Sequence, residues 1–184
     1  MIEAEIKIPI ENPETIRTML KNKGEIISIT KQHDVYFQHP FRDFTVTDEA
    51  LRLRDENGAY ELTYKGPKIG NVGKTRIEIN INVNDFNKAK QLLENLGFKT
   101  LIRISKTREL YKVNETFIAI DHVEGLGYYV ELEKQIPNSE NIEQTERELI
   151  SLVKELGLDI NKSTRKSYLE LLLNKKTMNN TNKI

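Results

Sequence analysis

Several short stretches of this chain alternate charged and apolar residues, and the charged members have a common chemistry. Side chains alternate faces along an extended backbone. Glu3, Glu5 and Lys7 therefore share one face, with Ala4, Ile6 and Ile8 on the other. Arg52 and Arg54 oppose Leu51 and Leu53, and Thr63 and Lys65 oppose Leu62 and Tyr64. Arg76, Glu78 and Asn80 oppose Ile77, Ile79 and Ile81. Lys106 with Arg108 and Glu131 with Glu133 form two more same-face pairs, and Asp121 ends a stretch whose other face carries Ile118 and Ile120. A solvated face of an antiparallel sheet explains any one stretch. Taken together, the set fits a more specific chemistry. Arg and Lys bind phosphate oxygens, Arg through a bidentate fork. Carboxylates with no His or Cys beside them suit Mg²⁺ or Mn²⁺, hard ions that prefer oxygen. A polyphosphate accompanied by divalent metal satisfies both halves.

The elements that must position these residues recur three times, each time as an alternating strand, a turn, an amphipathic helix and a glycine. The first unit runs from Glu3 to a helix ending at Gly24, with Asn12 as N-cap and Pro13 at the first helical position. The second runs from Arg76 to a helix ending near Gly97. It is capped by Asn84 or Asp85 and striped by Ala89, Leu92, Leu93 and Leu96. The third runs from Tyr129 to a helix ending at Gly157, with Leu149, Ile150, Leu152, Val153 and Leu156 as its stripe. Hairpins are expected around Asn57-Gly58 and near Asn114. The count is roughly eight strands and three to four helices. Helices need apolar strand faces to pack on, which turns the charged faces inward, into a barrel or tunnel. Such a lining is costly unless its charges are paired or hold ions. A last helix is expected over Ser163 to Leu173 and a disordered polar tail over 174–184, which leaves residues 1–173 as a single domain. Gly66 to Lys74 reads as a flexible loop without Walker A spacing.

The 184 residues suffice for one domain with a real core. Twenty-eight basic and 28 acidic residues cancel, so there is no overall pull towards nucleic acid or membrane. With 38% hydrophobic and 30% charged residues, many charges must face water or line a charged cavity. The absence of Cys excludes disulfides, thiolate metal sites and a cysteine nucleophile. No apolar run can span a bilayer and the N-terminus lacks a signal-peptide layout, so a cytoplasmic protein is expected.

With these residues in place, the chain resembles the CYTH-domain proteins, the triphosphate tunnel metalloenzymes. Glu3-Ala4-Glu5-Ile6-Lys7 matches their E-x-E-x-K signature, and further blocks follow in order: Gln32 to Phe37, Ala50 to Arg54, Leu62 to Pro67, Lys106-Thr107-Arg108, Asp121 to Gly127 and Glu131-Leu132-Glu133. The Asp34 to Phe37 block and the Gly-Leu-Gly turn before Glu131 most resemble the class IV adenylyl cyclase branch. The resemblance implies an α+β fold, an eight-stranded antiparallel closed β-barrel with helices packed outside. It also implies a triphosphate substrate, ATP or another, with Mg²⁺ or Mn²⁺. Carried over by position, Glu3, Glu5, Glu78, Glu131 and Glu133 would hold metal. Lys7, Arg52, Arg54, Lys65, Lys106 and Arg108 would hold triphosphate, with Arg76 a further candidate. Asp121 and Lys7 would take catalytic parts, Asp121 near a metal or the attacking hydroxyl. Asn80 departs from the pattern, because a second acid usually stands there and an amide contributes no charge.

Two reactions fit one such tunnel. A cyclase joins the ribose 3′-hydroxyl of ATP to the α-phosphorus and releases pyrophosphate, and a triphosphatase directs water at the terminal phosphorus. A non-catalytic polyphosphate module would keep the cations but need fewer carboxylates. A homodimer is left open. His33, His39 and His122 form no metal-spaced cluster, Tyr36, Phe37, Phe41 and Phe44 read as packing residues, and Lys68 and Lys74 read as solvated loop charges. Tyr168 either closes the tunnel or anchors a helix.

Overall fold

The caps expected from the sequence delimit the first helix. The Asn12 side chain accepts the Glu14 amide at 3.0 Å and Pro13 takes the first helical position, so α1 (Pro13–Lys23) begins there. It stops at Gly24, where a Cβ would lie 2.3 Å from the Lys112 carbonyl oxygen. The computed structural model describes the backbone of residues 2–69, 75–136 and 141–181, and the side chains of residues 4–68, 76–136 and 141–178.

The strands are β1 (Ile2–Ile10), β2 (Glu25–Gln38), β3 (Ala50–Glu56), β4 (Ala59–Ile69), β5 (Thr75–Val83), β6 (Lys99–Val113), β7 (Thr116–Val123) and β8 (Gly127–Ile136). The remaining helices are α2 (Phe86–Asn95), α3 (Ile142–Glu155) and α4 (Tyr168–Thr181). Both expected hairpins form. Asn57 and Gly58 take φ of 51° and 88° between β3 and β4, the left-handed pair that a tight turn needs, and Asn114 takes φ of 53° between β6 and β7. Asp85 rather than Asn84 caps α2, accepting the Lys88 amide at 2.9 Å.

Every pairing is antiparallel, and neighbours run β1-β5-β4-β3-β2-β6-β7-β8. The strand number, direction and curl match the expectation of an α+β fold, but a fully closed barrel is not clearly formed. β1 pairs with β8 along its whole length, from Ile2↔Ile136 to Ile10↔Tyr128, whereas β1 meets β5 only at Ile2↔Ile77 and Glu3↔Arg76. Because β5 begins at Thr75, the antiparallel register leaves the rest of β1 without a β5 partner among the described residues. The sheet is a curled half-barrel with a narrow seam.

The helices occupy different sides of this curl. The outer faces of β1, β6, β7 and β8 pack through Ala4, Ile6, Tyr111, Ile118, Ile120 and Leu132 against Ile16 and Leu20 of α1, Leu149 and Val153 of α3 and Leu156, which caps α3. Leu93 of α2 joins Val35, Phe37, Leu51 and Leu53 from the outer faces of β2 and β3. Leu92 and Leu96, expected in the same stripe, are 61% and 60% exposed, because only one edge of this short helix meets the sheet. Helix α4 does not pack outside. It lies across one end of the curl, where Tyr168 and Leu169 pack on Tyr36, Ala50, Ile102, Ile104, Val123 and Tyr129 from the inner face.

Two further expectations change. Residues 174–181, read as a disordered tail, are helical, since α4 starts at Tyr168 and continues to Thr181. Gly66 to Ile69, read as loop, belongs to β4. There a register shift between Lys65 and Lys68 accommodates Pro67, which has no amide hydrogen for the ladder. Residues 70–74 of that expected loop lie outside the described residues. No helix among the described residues is long and apolar enough to cross a membrane.

Candidate active site

The inward faces of the strands enclose a cavity of about 600 Å³. Glu5, Lys7, Arg52, Arg54, Lys65, Arg76, Glu78, Lys106, Arg108, Glu131 and Glu133 all line it, together with Asn80. The Glu3 backbone belongs to β1, but its side chain lies outside the described residues. Asp121 does not line the cavity. It is wholly buried behind the wall, one layer beneath Lys106 and Arg108.

Strand pairing explains how these groups meet. Lys7 lies opposite Glu131 in the β1–β8 register, and Arg108 lies opposite Asp121 in the β6–β7 register. Lys7 Nζ stands 2.8 Å from a Glu5 oxygen and 2.6 Å from Glu131 Oε1. Burial alone would lower the Lys7 pKa, but the Glu131 and Glu5 charges outweigh it and hold the ammonium form well beyond the ordinary lysine range. Arg108 binds Asp121 through Nε at 2.8 Å and Nη2 at 2.6 Å, and Nη2 also reaches Glu131. Asp121 Oδ2 further accepts from Lys106 Nζ and from the Tyr168 hydroxyl, each at 3.0 Å. Burial would raise the Asp121 carboxyl, but the charges of Arg108 and Lys106 pull it below the usual range. With four donors on its two oxygens, Asp121 is a fixed anion that orients its neighbours. Lys106 differs from Lys7: burial and then the Arg108 charge lower its pKa to about 8, against the pull of Asp121 and Glu131.

The opposite wall is built from β2 to β5. Asp34 takes Arg54 Nε and Nη2 at 2.7 Å each, a bidentate pair that keeps the carboxyl strongly acidic despite its burial. Arg52 gives Nη2 to Glu61 at 2.9 Å and to Thr63 Oγ1 at 2.8 Å, and Lys65 pairs with Glu78. Arg76 Nη2 is 3.5 Å from Asp48. Among the described residues the buried Nε atoms of Arg52 and Arg76 have no hydrogen-bond partner, and both residues line the cavity. A buried N–H donor left unpaired is costly.

Among the described residues, no three acidic or histidine side chains are gathered closely enough to form a ready metal cluster. Glu5 and Glu131 are drawn to Lys7, and Glu131 also to Arg108. Burial raises the Glu133 carboxyl against the pull of Arg108 and Lys65, and the nearby Glu5 and Glu131 charges add to the rise. That like-charge crowding, from oxygen donors alone, suits a hard divalent cation.

Of the residues expected as packing, Tyr36, Phe37 and Phe44 are buried in apolar clusters, Tyr36 and Phe44 also lining the cavity, whereas Phe41 is 94% exposed. Lys68, expected as a solvated loop charge, bridges Asp48 at 2.5 Å and Glu170 at 3.1 Å. Asp34, not singled out as a site residue, has its inward direction set by the parity of Gln32, Asp34 and Tyr36, a signal present in the sequence. Tyr168 both closes the inner end and anchors a helix. Its ring covers Lys7 Nζ at 4.1 Å and Lys106 Nζ at 5.0 Å from the centroid. The three histidines stay apart: His33 meets Ser105, His39 stacks among phenylalanines and His122 lies on Tyr128. Lys74 lies outside the described residues.

Comparison with known proteins agrees with this geometry. The CYTH domain family model matches residues 1–168. A relative from Methanocaldococcus jannaschii, named as a candidate adenylate cyclase, is 44% identical over 172 residues, covering 93% of this chain and 98% of that protein. The adenylate cyclase CyaB of Aeromonas hydrophila is 27% identical over 160 residues, covering 86% of this chain and 81% of that protein. A solved structure from Pyrococcus horikoshii superposes with a TM-score of 0.87 at 41% identity, covering 94% of this chain and 99% of that one.

Proposed function

The chain belongs to the CYTH-domain family, and from that premise we propose that it is a metal-dependent enzyme converting ATP to cyclic AMP and pyrophosphate. The observation that carries this reading is one cavity lined by Lys7, Arg52, Arg54, Lys65, Arg76, Lys106 and Arg108 together with Glu5, Glu78, Glu131 and Glu133. A triphosphate supplies anionic oxygens to such a set of cations, and charge-assisted contacts make the grip strong. Closure of the half-barrel into a complete tunnel around the bound triphosphate belongs to the same proposal, as does a cytoplasmic setting.

Glu5, Glu131 and Glu133 would hold the divalent ion, with Glu78 across the cavity. Bound there, Mg²⁺ or Mn²⁺ neutralises phosphate charge and acts as a Lewis acid. The chain's own cations do the positioning. Arg52, Arg76, Lys106 and Arg108 hold the β- and γ-phosphates, so the α-phosphorus faces the mouth. Lys7 and Arg108 keep their protons and stay cationic throughout. Asp121 and Tyr168 hold Lys106 and Arg108 in place from behind. The ribose 3′-oxygen then forms a bond to the α-phosphorus, the bond from that phosphorus to the bridging oxygen breaks, pyrophosphate leaves, and the hydroxyl proton passes to water.

The test is product analysis. With Mg²⁺ or Mn²⁺, ATP should yield cyclic AMP and pyrophosphate, and inorganic triphosphate should bind and inhibit without rapid cleavage. Orthophosphate released from inorganic triphosphate, with no cyclic nucleotide from ATP, would replace the cyclase reading by a triphosphatase.

A further inference from the structure

The cavity is not lined by charges alone. Beside the β2–β3 connection and α4 the lining adds the apolar residues Tyr36, Phe44, Ala50, Leu169 and Leu173 to the charged Asp48, Glu49 and Glu170. Tyr36, Ala50 and Leu169 form part of one apolar cluster, with Leu173 packed against it. Beyond them, Asn174 and Thr177 line the same space. Positions 170, 173, 174 and 177 are three or four apart and so share one face of α4. From Tyr168, which touches Asp121, to Thr177 the helix rises about 13 Å. One element therefore spans the charged, apolar and polar parts of the lining.

That element is held at several points. Ser167 and Glu170 form a capping box: Glu170 Oε2 accepts the Ser167 amide at 2.6 Å and its hydroxyl at 2.8 Å, and the Glu170 amide reaches Ser167 Oγ at 3.2 Å. Glu170 also takes Lys68 at 3.1 Å. Past Asn174, Lys175 Nζ donates to the Gly125 carbonyl at 2.6 Å. These contacts flank Asn174 on both sides and fix which way its face of the helix is turned.

A bare triphosphate has no use for this part of the lining. A charged cavity whose lining also carries an apolar patch and a few polar side chains suits a polyanion joined to a flat organic group. We infer that the outer half of α4, through Leu173, Asn174 and Thr177, selects the base of a nucleoside triphosphate, with Asn174 reading its edge; this rests on the triphosphate reading above. The Asn174 carboxamide offers one acceptor beside a donor group. Adenine presents the matching pair, the N6 donor beside the N7 acceptor, whereas guanine presents two acceptors there. The carboxamide therefore favours adenine, and Tyr36 and Leu173 supply apolar surface for the ring.

The experiment is calorimetric titration of the unmutated protein, Asn174→Ala and Asn174→Asp. The titrants are inorganic triphosphate, 3′-deoxy-ATP and 3′-deoxy-GTP, the two nucleotides lacking the attacking hydroxyl. Asn174→Ala should reduce the preference for the adenine nucleotide by about tenfold, the equivalent of one lost hydrogen bond. Asn174→Asp keeps the acceptor for N6 but loses the donor to N7, so affinity for both nucleotides should fall while the adenine preference is kept. Inorganic triphosphate should bind all three proteins alike, because it never reaches Asn174. An unchanged adenine-to-guanine ratio in Asn174→Ala, with inorganic triphosphate still bound, overturns base selection by α4 and leaves the triphosphate reading standing. Failure of the unmutated protein to bind inorganic triphosphate overturns both.

Discussion

The two walls of the cavity carry similar charges but solve the problem of burying them differently. On the β1, β6, β7 and β8 side, Lys7, Lys106, Arg108, Asp121, Glu131 and Tyr168 form one continuous network, and the apolar backs of these strands lie under α1 and α3. On the β3, β4 and β5 side, Arg54 and Lys65 have buried partners in Asp34 and Glu78, but the acidic partners of Arg52 and Arg76, Glu61 and Asp48, are 34% and 38% exposed. The back of β5 is bare, with Ile77, Ile79 and Ile81 about half exposed. The narrow β1–β5 seam separates the two walls. The difference teaches that charge alone does not make a binding wall. One wall holds its cations in a network of buried partners, so losing a cation there should cost stability; the other pairs Arg52 and Arg76 with acids that water reaches, so losing one there should cost mainly binding.

The strongest way to break this contrast is Arg108→Ala. The variant leaves Asp121 and Glu131 buried beside each other with their main cation gone, which should cost about 3–5 kcal/mol of stability in urea unfolding. Asp121→Asn in the same background should recover part of that loss, because it removes the uncompensated charge. Equal stability of Arg108→Ala and the unmutated protein would mean that the network is not a scaffold.

On the other wall the balance should reverse. Arg76→Ala and Arg52→Ala release acids that water can reach, so their stability cost should be within about 1 kcal/mol. Each should instead weaken inorganic triphosphate binding by about 1.5–3 kcal/mol, the worth of a hydrogen bond to a charged group. Calorimetry showing undiminished affinity in both variants would remove the distinction between the walls.

Strand parity made the lining legible: every charged residue placed on an inward face whose side chain is described either lines the cavity or, like Asp121, stands directly behind it. Caps made α1 and α2 legible in the same way. What parity could not give was depth. Asp121 and Glu131 both face inward, yet only the register between β6 and β7 places Asp121 under Arg108. Nor could it reveal α4. Lys175 to Asn180 is polar, and a polar segment reads as a tail unless its anchors are known. Those anchors, Lys68 for Glu170 and the Gly125 carbonyl for Lys175, are 102 and 50 residues away in sequence. The seam was illegible for a similar reason, since strand count and direction do not determine how far β1 overlaps β5.

The finest difference between the walls should appear in their response to pH, through Lys106. Burial and the Arg108 charge lower its pKa from an ordinary 10.5 to about 8. In the unfolded chain the same amine keeps its proton to about pH 10.4. Between these values the unfolded state binds more protons than the folded one, so this group makes folding stability rise with pH. Gripping a phosphate requires the ammonium form, so affinity for inorganic triphosphate should fall across the same window, by roughly tenfold per unit once the pH is well above 8. Stability and binding thus move in opposite directions, which a general effect of alkali on the fold would not produce. Lys106→Met removes the titrating group and should flatten both slopes, with affinity at pH 7 already reduced. Metal-free titrations at pH 7, 8 and 9, paired with urea unfolding at each pH, give both slopes. Affinity that stays level from pH 7 to 9 in the unmutated protein would show that Lys106 serves only the scaffold wall and makes no contact with the triphosphate.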